Sequence, residues 1–319
     1  MAIISHCTLE TLTGAATALR QSRLVIFPTE TVYGLGGDAE SEQAVRRIYE
    51  VKGRPLDHPV IVHIGELRFL DFWISEIPDY AIILARDFWP GSMTLILPRS
   101  QNARDFITGG QGSVGLRIPA HPIALQLLME FHSQGGKGVA APSANRFGEV
   151  SPTTAEAAEL GLGPWLSPND MILDGGPCVV GIESTVIDCR GERPRILRPG
   201  AITKEMIEQS TSSEVDESPG QIRVSGALEN HYAPKARVYV GDSQIPGAGF
   251  IALGVVPTPQ GMLRLAAPRD VDEYARVLYR SLKEADSQGL TSIVVIPPEG
   301  VGLPEAIRDR IEKARTKKI

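Results

Sequence analysis

RLVIFPTETVYGLG, residues 23–36, decides the fold because it joins a buried strand to a polar strand end. Its first half, residues 23–29, is an aliphatic and aromatic run that predicts a buried strand. Its second half, residues 28–36, places two threonines, a carboxylate and a tyrosine just before glycines that allow close backbone approach to a ligand. An ordinary turn is the alternative for this second half taken by itself.

Strands and helices alternate along the chain beyond this segment. Ala44, Val45, Ile48 and Val51 recur at helical spacing within residues 40–51, so a helix is predicted after the first strand. Short aliphatic runs between prolines and glycines predict further strands, and the alternation of these with helices indicates an α/β layer. These strands are predicted at 59–64, 93–97, 113–118 and 184–188, and further helices at 79–88 and 121–131.

The chain changes character after residue 200. Its 319 residues predict two domains at about 150 residues each. Residues 201–235 are acidic and poor in large apolar side chains, which predicts a linker and not a core element. Beyond them, alternating strands and helices predict a small parallel sheet with crossover helices. The strands are predicted at 237–240, 250–254 and 292–298, the helices at 271–282 and 304–314, and the domains at 1–200, 201–235 and 236–319.

The composition is that of a soluble globular protein and argues against several other classes. Hydrophobic residues make up 42% of the chain, and the net charge of −6 does not indicate a general nucleic-acid surface. Three cysteines without CxxC spacing argue against a disulfide framework and a structural zinc site, which favours a reducing cytoplasm. The N-terminal segment lacks a signal-peptide pattern, and no window reaches about 18 apolar residues, so neither secretion nor membrane spanning is indicated.

Familiar catalytic motifs are missing or stand in the wrong context. GQGSVG, residues 110–115, matches the dinucleotide fingerprint GxGxxG, but no strand precedes it and Pro119 stops a following helix. We therefore predict a turn that enters a strand. P-loop, HExxH and GxSxG motifs are absent from the sequence, which argues against the phosphoryl-transfer, metalloprotease and hydrolase chemistry they support. No pair of histidines has metal-ligand spacing.

Cations and hydroxyls cluster near predicted strand and helix ends. Lys52 and Arg54 in KGRPLDHP would suit a polyphosphate, although a solvated helix C-terminus is the alternative. Arg198, just before a Pro-Gly bend in ILRPGAI, is a candidate anion clamp. APSANRFG and SPTTAE place hydroxyl and amide groups around a helix start, where Ser151 or Thr153 could equally act as a helix cap.

Taken together and in this order, PTETVYGLG, KGRPLDHP, SVGLRIP, APSANRFG, GIESTVID and ILRPGAI resemble the YrdC-like threonylcarbamoyl-AMP synthase family. The resemblance covers about residues 10–200. The acidic linker ending in NHYAP and the small α/β domain resemble the family's long, two-domain branch. The resemblance implies an α/β fold with a twisted open sheet and flanking helices, plus a smaller Rossmann-like C-terminal domain.

The resemblance also implies a reaction. Such enzymes make L-threonylcarbamoyladenylate and pyrophosphate from L-threonine, bicarbonate or CO2, and ATP, for the threonylcarbamoyladenosine modification of tRNA. We expect the amine to capture the carbon dioxide unit and the carbamate oxygen to attack the α-phosphorus, without a covalent enzyme intermediate. The product would pass to a tRNA threonylcarbamoyl-transferase complex, and direct tRNA binding by this chain stays open.

Site residues follow from the matching motifs. Lys52 and Arg54 are implied as the catalytic pair that, with Mg²⁺, offsets charge on the pyrophosphate leaving group. His58 departs from the family pattern, where an amide is more usual. The linker around His231 and Tyr232 is a candidate lid. The implied threonine site is Thr31, His63, Arg117, Ala141 and Ser184, and the implied ATP site is Lys52, Arg54, His58, Ser113, Ser143, Asn145, Ser151, Arg198 and Tyr232.

Two other interpretations stay open at this point. A non-catalytic RNA-binding module could use the same concave fold, although the acidic pI near 5.6 weighs against it. A carbamoyl-transfer domain of hydrogenase maturation ranks third, because the flanking zinc-finger and acylphosphatase-like segments are absent from the sequence. The C-terminal domain has no glycine fingerprint, so we expect a regulatory or docking module there and not a second catalytic centre.

Overall fold

One mixed sheet of ten strands organises the first 200 residues of the computed structural model, which describes residues 4–218, 222–224 and 232–315. In spatial order the strands run β1-β8-β2-β3-β7-β4-β6-β5-β9-β10, with both parallel and antiparallel neighbours. The strands are β1 Ile4–His6, β2 Val25–Phe27, β3 Gly34–Asp38, β4 Ile61–His63, β5 Met93–Pro98, β6 Ser113–Arg117, β7 Val139–Ala140, β8 Met171–Asp174, β9 Thr185–Asp188 and β10 Arg195–Arg198.

Helices cover both faces of this sheet. Side chains of β2 alternate between the faces: Val25 and Phe27 pack with Leu19 and Phe131, whereas Ile26 belongs to the larger core on the other side. The sheet is therefore buried on both faces. The helices are α1 Leu9–Arg20, α2 Glu42–Lys52, α3 Leu70–Trp73, α4 Asp79–Phe88, α5 Asp105–Thr108, α6 Pro122–Ser133 and α7 Ala155–Leu162, with short 3₁₀ turns at Leu67–Phe69 and Gly163–Trp165.

Most predicted elements of this part are confirmed. The strand expected in residues 23–29 is β2, the helix in 40–51 is α2, and the helix in 79–88 is α4 with the expected bounds. GQGSVG is a turn that enters β6, as expected. Strand β3 was not predicted, because its sequence GLGGD offers almost no side-chain pattern and is fixed by pairing with β2 and β7.

A second, smaller parallel sheet follows the linker. Its order is β11-β14-β12-β13, and all of its pairings are parallel, as predicted. Of the two helices predicted as crossovers, the one at 271–282 joins two strands, β13 and β14, whereas the other follows the last strand. The three predicted strands are confirmed, and β13 is a fourth that its short, half-buried sequence LRLA did not indicate. The elements are β11 Arg237–Val240, β12 Gly249–Ile251, β13 Leu263–Ala266, α9 Val271–Ser287, β14 Ser292–Val295 and α10 Leu303–Arg315.

Part of the predicted linker is a core element, which corrects the expectation for residues 201–235. Lys204–Thr211 forms helix α8, which begins where the Thr203 side chain accepts a hydrogen bond from the Met206 amide. Its Ile207 is fully buried in the main core. A single buried apolar residue in a polar stretch was too weak a signal to predict this helix.

The two sheets are joined by a shared apolar cluster. Val32, Val150 and Ile182 from strand-end loops of the large sheet pack with Leu278 of α9 and Ile307 of α10. The second unit therefore lies directly against the loops that carry the conspicuous motifs. No helix in the described ranges is both long and apolar enough to cross a membrane.

Candidate active site

The strand-end loops converge on one narrow cavity of about 50 Å³. Loops following β2 and β7, the C-terminal ends of β4, β6 and β10, and the residues leading into β9 all contribute to its wall. The wall residues are Thr29, Thr31, Val32, Gly34, Arg54, Ile61, His63, Arg117, Ala141, Pro142, Ser143, Glu183, Ser184, Arg198 and Tyr232.

All five residues predicted to hold threonine line this cavity. The Thr31 hydroxyl lies 2.8 Å from that of Thr29, and the Ser184 hydroxyl 2.8 Å from that of Thr94. His63 is buried at the end of β4, and among the described residues no hydrogen-bond partner reaches its Nδ1. Burial and the nearby Arg117 charge lower the pKa of His63 to about 3, so the ring is neutral. A buried ring nitrogen without a partner offers a hydrogen bond to a ligand.

Arg117 is held in the wall by a carboxylate that sequence reasoning missed. Glu30 forms a buried ion pair with the Arg117 guanidinium and also accepts from the Ser92 hydroxyl at 3.1 Å and the Ala120 amide at 3.0 Å. Burial would raise the pKa of Glu30, but the Arg117 charge and the hydrogen bonds from Arg117 and the Ala120 amide lower it. Arg117 Nε also donates to the Gly91 carbonyl at 3.1 Å. The guanidinium is thus fixed at the cavity edge.

Lys52 and Arg54 lie on either side of the end of α2. Gly53 ends the helix with φ of 60°, and a Cβ at this position would lie 2.5 Å from Arg146 Nη2. Lys52 Nζ donates to the Ser143 carbonyl at 2.5 Å and the Asn145 carbonyl at 2.6 Å. Its side chain is fully buried, so the alternative of a solvated helix end is wrong.

The two cations occupy different layers of the wall. Arg54 lines the cavity and donates to the Pro59 carbonyl at 2.7 Å, whereas Lys52 lies behind the loop that contains Ser143. Burial lowers the pKa of Lys52 well below its ordinary value and that of Arg54 to about 10. Arg54 is therefore placed to meet a ligand directly, and Lys52 to hold the loop that does so.

Asn145 and Ser151 also lie just behind the wall. Asn145 Nδ2 donates to two carbonyls of its own loop, while within the described chain its Oδ1 has no hydrogen-bond partner. The Ser151 hydroxyl donates to Glu183 Oε1 at 2.7 Å. The expected cap at Ser151 or Thr153 is wrong: Thr154 caps α7, because its side chain accepts from the Ala157 amide.

Two further residues of the predicted ATP site do not line the cavity. His58 is half-buried and contacts Phe147 edge-on, with ring centroids 5.4 Å apart. Ser113 lines a neighbouring cavity of about 20 Å³ that the linker residue Val224 also borders. Both lie beside the site without lining it: burial together with the Arg54 charge lowers the pKa of His58, and the cavity at Ser113 shares Ile61 with the main cavity.

Glu183 is the second wall carboxylate without a predicted role. It lies next to Ser184, and its oxygens accept from Ser151, from Tyr279 of α9 and from Arg310 of α10. Burial would raise its pKa, but the charges of Arg310 and Arg198 together with hydrogen bonds lower it to about 2. The motif GIESTVID indicated this position, whereas Tyr279 and Arg310 are distant in sequence and gave no signal.

Arg198 and Tyr232 complete the wall. Arg198 Nε and Nη2 donate to the Ser184 carbonyl at 3.1 and 2.9 Å, so it bridges the ends of β10 and β9. The Pro-Gly bend after Arg198 packs tightly, because a Cβ on Gly200 would lie 2.4 Å from the Thr185 amide nitrogen. Tyr232 is buried and lines the cavity from the linker side. His231, named with it as a candidate lid, lies outside the described residues.

Other surface features do not compete with this site. A larger open groove of about 970 Å³ lies beside α2 and α5, but none of the predicted site residues line it. Within residues 4–218, 222–224 and 232–315, no group of three or more His, Cys, Asp or Glu side chains is placed to hold a metal ion. Cys7, Cys178 and Cys189 are all free thiols.

Comparison with known proteins yields two family matches. A Sua5, YciO and YrdC family model, described as telomere recombination, matches residues 17–200. A model described as the threonylcarbamoyl-AMP synthase C-terminal domain matches residues 202–315. The two matches together span both sheets.

Similar curated proteins and solved structures extend over most of the chain. A Pyrococcus abyssi threonylcarbamoyl-AMP synthase is 37% identical over 94% of this chain and 92% of its own. A Bacillus subtilis protein of the same name is 38% identical, with 94% and 91% covered. The structure of P. abyssi Sua5 complexed with L-threonine aligns with a TM-score of 0.88 at 35% identity, covering 99% of this chain and 97% of that one. Full-length HypF, 18% identical with a TM-score of 0.51, covers 60% of this chain and 30% of its own, so it shares the fold alone.

Proposed function

The chain belongs to the Sua5 and YrdC family of threonylcarbamoyl-AMP synthases, and from this premise we propose how its cavity performs the family's reaction. It is a nucleotidyltransferase that forms L-threonylcarbamoyladenylate and pyrophosphate from L-threonine, bicarbonate or CO2, and ATP. Its product serves the threonylcarbamoyladenosine modification of tRNA. Family membership supports this synthase over the alternative of a non-catalytic RNA-binding module.

Threonine occupies the part of the cavity between β4, β6 and β9. The observation that carries this assignment is the buried, neutral His63 ring, whose Nδ1 lacks a hydrogen-bond partner among the described side chains and main chain. This ring nitrogen is suited to a hydrogen bond with the threonine hydroxyl. Arg117 lines the same part of the cavity and meets the substrate carboxylate, since a guanidinium binds carboxylates in a planar fork. Glu30 keeps that guanidinium in place.

ATP takes the part of the cavity bordered by Arg54, Ser143 and Arg198. The two arginines suit the triphosphate, and Lys52 holds the Ser143 loop against it. His58 and Ser113 lie further out and stay predicted ATP contacts.

The cavity must open to admit its substrates. Its volume of about 50 Å³ is small beside the roughly 300–1,000 Å³ of ordinary small-molecule sites. Tyr232 comes from the linker and fills one side of this space, so its withdrawal is the simplest way to make room. Its return over bound substrates would keep the reactive carbamate from water. Tyr232 is therefore the lid residue.

The reaction then needs positioning and charge stabilisation. The neutral threonine amine attacks the carbon of CO2 and loses a proton, which gives a carbamate. A carbamate oxygen attacks the α-phosphorus in line, the bond to the bridging oxygen of pyrophosphate breaks, and pyrophosphate leaves with the electron pair. Arg54 faces the charge that develops on this leaving group, and Lys52 supports the wall beside it. No side chain becomes covalently attached.

Mg²⁺ enters with ATP as part of the substrate. The described residues offer no cluster of three potential metal ligands, and the two wall carboxylates, Glu30 and Glu183, are each paired with an arginine. The proposal also includes a tRNA threonylcarbamoyl-transferase complex that consumes the product. It places the protein in the cytoplasm.

Pyrophosphate release from ATP, measured with and without L-threonine and bicarbonate, tests the function. The synthase requires both co-substrates, so omitting either one should reduce release to the background rate. Release that is indifferent to both would refute the assignment. Salt-sensitive RNA binding without such turnover would favour the RNA-binding module.

A further inference from the structure

A buried polar cluster connects the second unit to the cavity. Arg310 lies on the inward face of α10, between Ile307 and Ile311, at a position where an apolar side chain would be expected. Its side chain is 0% exposed. A buried guanidinium is costly unless its environment compensates the charge, so its partners indicate what it is for.

Arg310 has two partners at or next to the cavity wall and a third on its own helix, where Asp309 accepts from Nη1. Arg310 Nε donates to Glu183 Oε2 at 2.9 Å, and Nη2 donates to the Pro199 carbonyl at 2.9 Å, next to Arg198. The Tyr279 hydroxyl donates to the same Glu183 oxygen at 2.9 Å. Two side chains of the second unit therefore hold a carboxylate that lines the site in the first.

The same guanidinium also contacts the closing residue. Arg310 Cζ lies 5.4 Å from the centroid of the Tyr232 ring, and Tyr232 stacks on Tyr279 with centroids 5.6 Å apart. A cation above an aromatic face is attractive, particularly where water is excluded. Tyr232 thus rests, in the closed cavity, on side chains of α9 and α10.

Charge explains why the cavity needs Arg310. The site must accept a triphosphate, yet Glu183 places a carboxylate in its wall beside Arg198. The other wall carboxylate, Glu30, is compensated by Arg117 from within the first unit. Glu183 has its ion-pair partner in the second unit. Without that partner, Arg198 alone would offset the negative charge of Glu183 and would be less available to the phosphates.

We propose that Arg310 is a positioning residue of the synthase, which acts through Glu183 to keep the ATP side of the cavity attractive to a triphosphate and supports Tyr232 in its closed position. This inference rests on the proposed function. It gives the C-terminal unit a definite role, because α10 completes the electrostatics of a site whose reacting groups lie in the first unit.

Kinetics of four variants of the full chain test this. Arg310→Met should raise the KM for ATP by about tenfold or more while the KM for threonine stays within about twofold, because the less fully compensated Glu183 charge faces the phosphates. Arg310→Met combined with Glu183→Gln removes both charges and should bring the KM for ATP most of the way back. Arg310→Lys keeps the charge and should show a smaller rise. Arg315→Met is the matched control, since this exposed arginine of the same helix pairs only at the surface with Glu312.

The outcomes separate a positioning role from a structural one. A lower kcat with an unchanged KM for ATP, or a double variant no better than Arg310→Met, would overturn the proposal. If Arg310→Met does not fold, Tyr279→Phe, which removes one hydrogen bond to Glu183, must raise the KM for ATP relative to Arg315→Met, and no rise would overturn it. Calorimetric binding of a non-hydrolysable ATP analogue separates a failure of this inference from a failure of the proposed function. Weaker binding by Arg310→Met supports the charge argument even if threonine-dependent turnover is absent in every variant.

Discussion

Replacing His63 tests the threonine site most selectively. Its ring is buried in the cavity wall, and its Nδ1 has no hydrogen-bond partner in the described part of the protein. If this nitrogen meets the substrate hydroxyl, His63→Ala removes that hydrogen bond and leaves the hydroxyl buried without a partner. We therefore expect a higher KM for threonine and an almost unchanged KM for ATP.

The size of the effect follows from the state of the ring. With a pKa of about 3, His63 is neutral at the pH of any ordinary assay, so the lost interaction is a neutral hydrogen bond and not an ion pair. Such a loss costs about 1–2 kcal/mol, which corresponds to an increase of about 5–30-fold in the KM for threonine. The ratio of the variant's KM for threonine to that of the parent should be constant from about pH 6.5 to pH 8.5, because the His63 ring does not titrate in this range.

The KM for threonine is measured from pyrophosphate release at increasing threonine concentration, with ATP and bicarbonate saturating. His58→Ala is the matched control, since that imidazole lies outside the cavity and should leave the KM for threonine unchanged. L-valine, which lacks the hydroxyl, should be discriminated against less by His63→Ala than by the parent. An unchanged KM for threonine, or an equal rise in the KM for ATP, would refute the placement of the substrate.

Three further predictions concern the other groups in and behind the wall. Lys52→Ala combined with Arg54→Ala should abolish threonine-dependent pyrophosphate release while circular dichroism still shows a folded chain. Arg46→Ala, at an exposed position of the same helix, is the control. Measurable turnover by the double variant would contradict the roles assigned to Lys52 and Arg54. Tyr232→Ala should lower the formation of threonylcarbamoyl-AMP and of pyrophosphate together, because carbamate lost to water from the open site never attacks ATP. Unchanged formation of both would count against a lid. Acid should destabilise the fold through His63: its pKa is about 3 when folded and about 6.5 unfolded, so the unfolded state binds the proton first and stability falls as pH drops below about 6.5. Between pH 7 and pH 5 this protonation lowers the free energy of unfolding by about 2 kcal/mol, and urea unfolding of His63→Gln should lack this decrease. An identical pH dependence in both proteins would show the ring to be charged or exposed.

Sequence patterns predicted those elements that carry their own periodicity. The buried strand β2, the amphipathic α2 and α4, and three strands of the second sheet all have a local pattern that indicates them. Strand β3 could not be predicted, because its glycines are placed by neighbouring strands and not by side-chain preference. Helix α8 was missed for a similar reason, since Ile207 is its one fully buried residue.

Some residues of the candidate site could be predicted from the sequence, and others could not. The family resemblance implied all five residues of the predicted threonine site, and all five line the cavity, because their motifs lie near strand ends that bring sequence-distant loops to one edge. Partners that fix the wall were not predictable: Arg310 is 127 residues from Glu183, and Arg117 is 87 residues from Glu30. A cap such as Thr154, one residue from Thr153, depends on local backbone angles that composition does not reveal.

The central claim is that this cavity joins threonine, a carbon dioxide unit and AMP. Incubating the full chain with ¹⁴C-bicarbonate, L-threonine and ATP, followed by rapid chromatography, measures this directly. Label should appear in a threonine-dependent product that also contains adenine, in equal amount to pyrophosphate when the product is trapped early. Pyrophosphate formation without labelled adenylate, in the parent chain with both co-substrates present, would contradict the account.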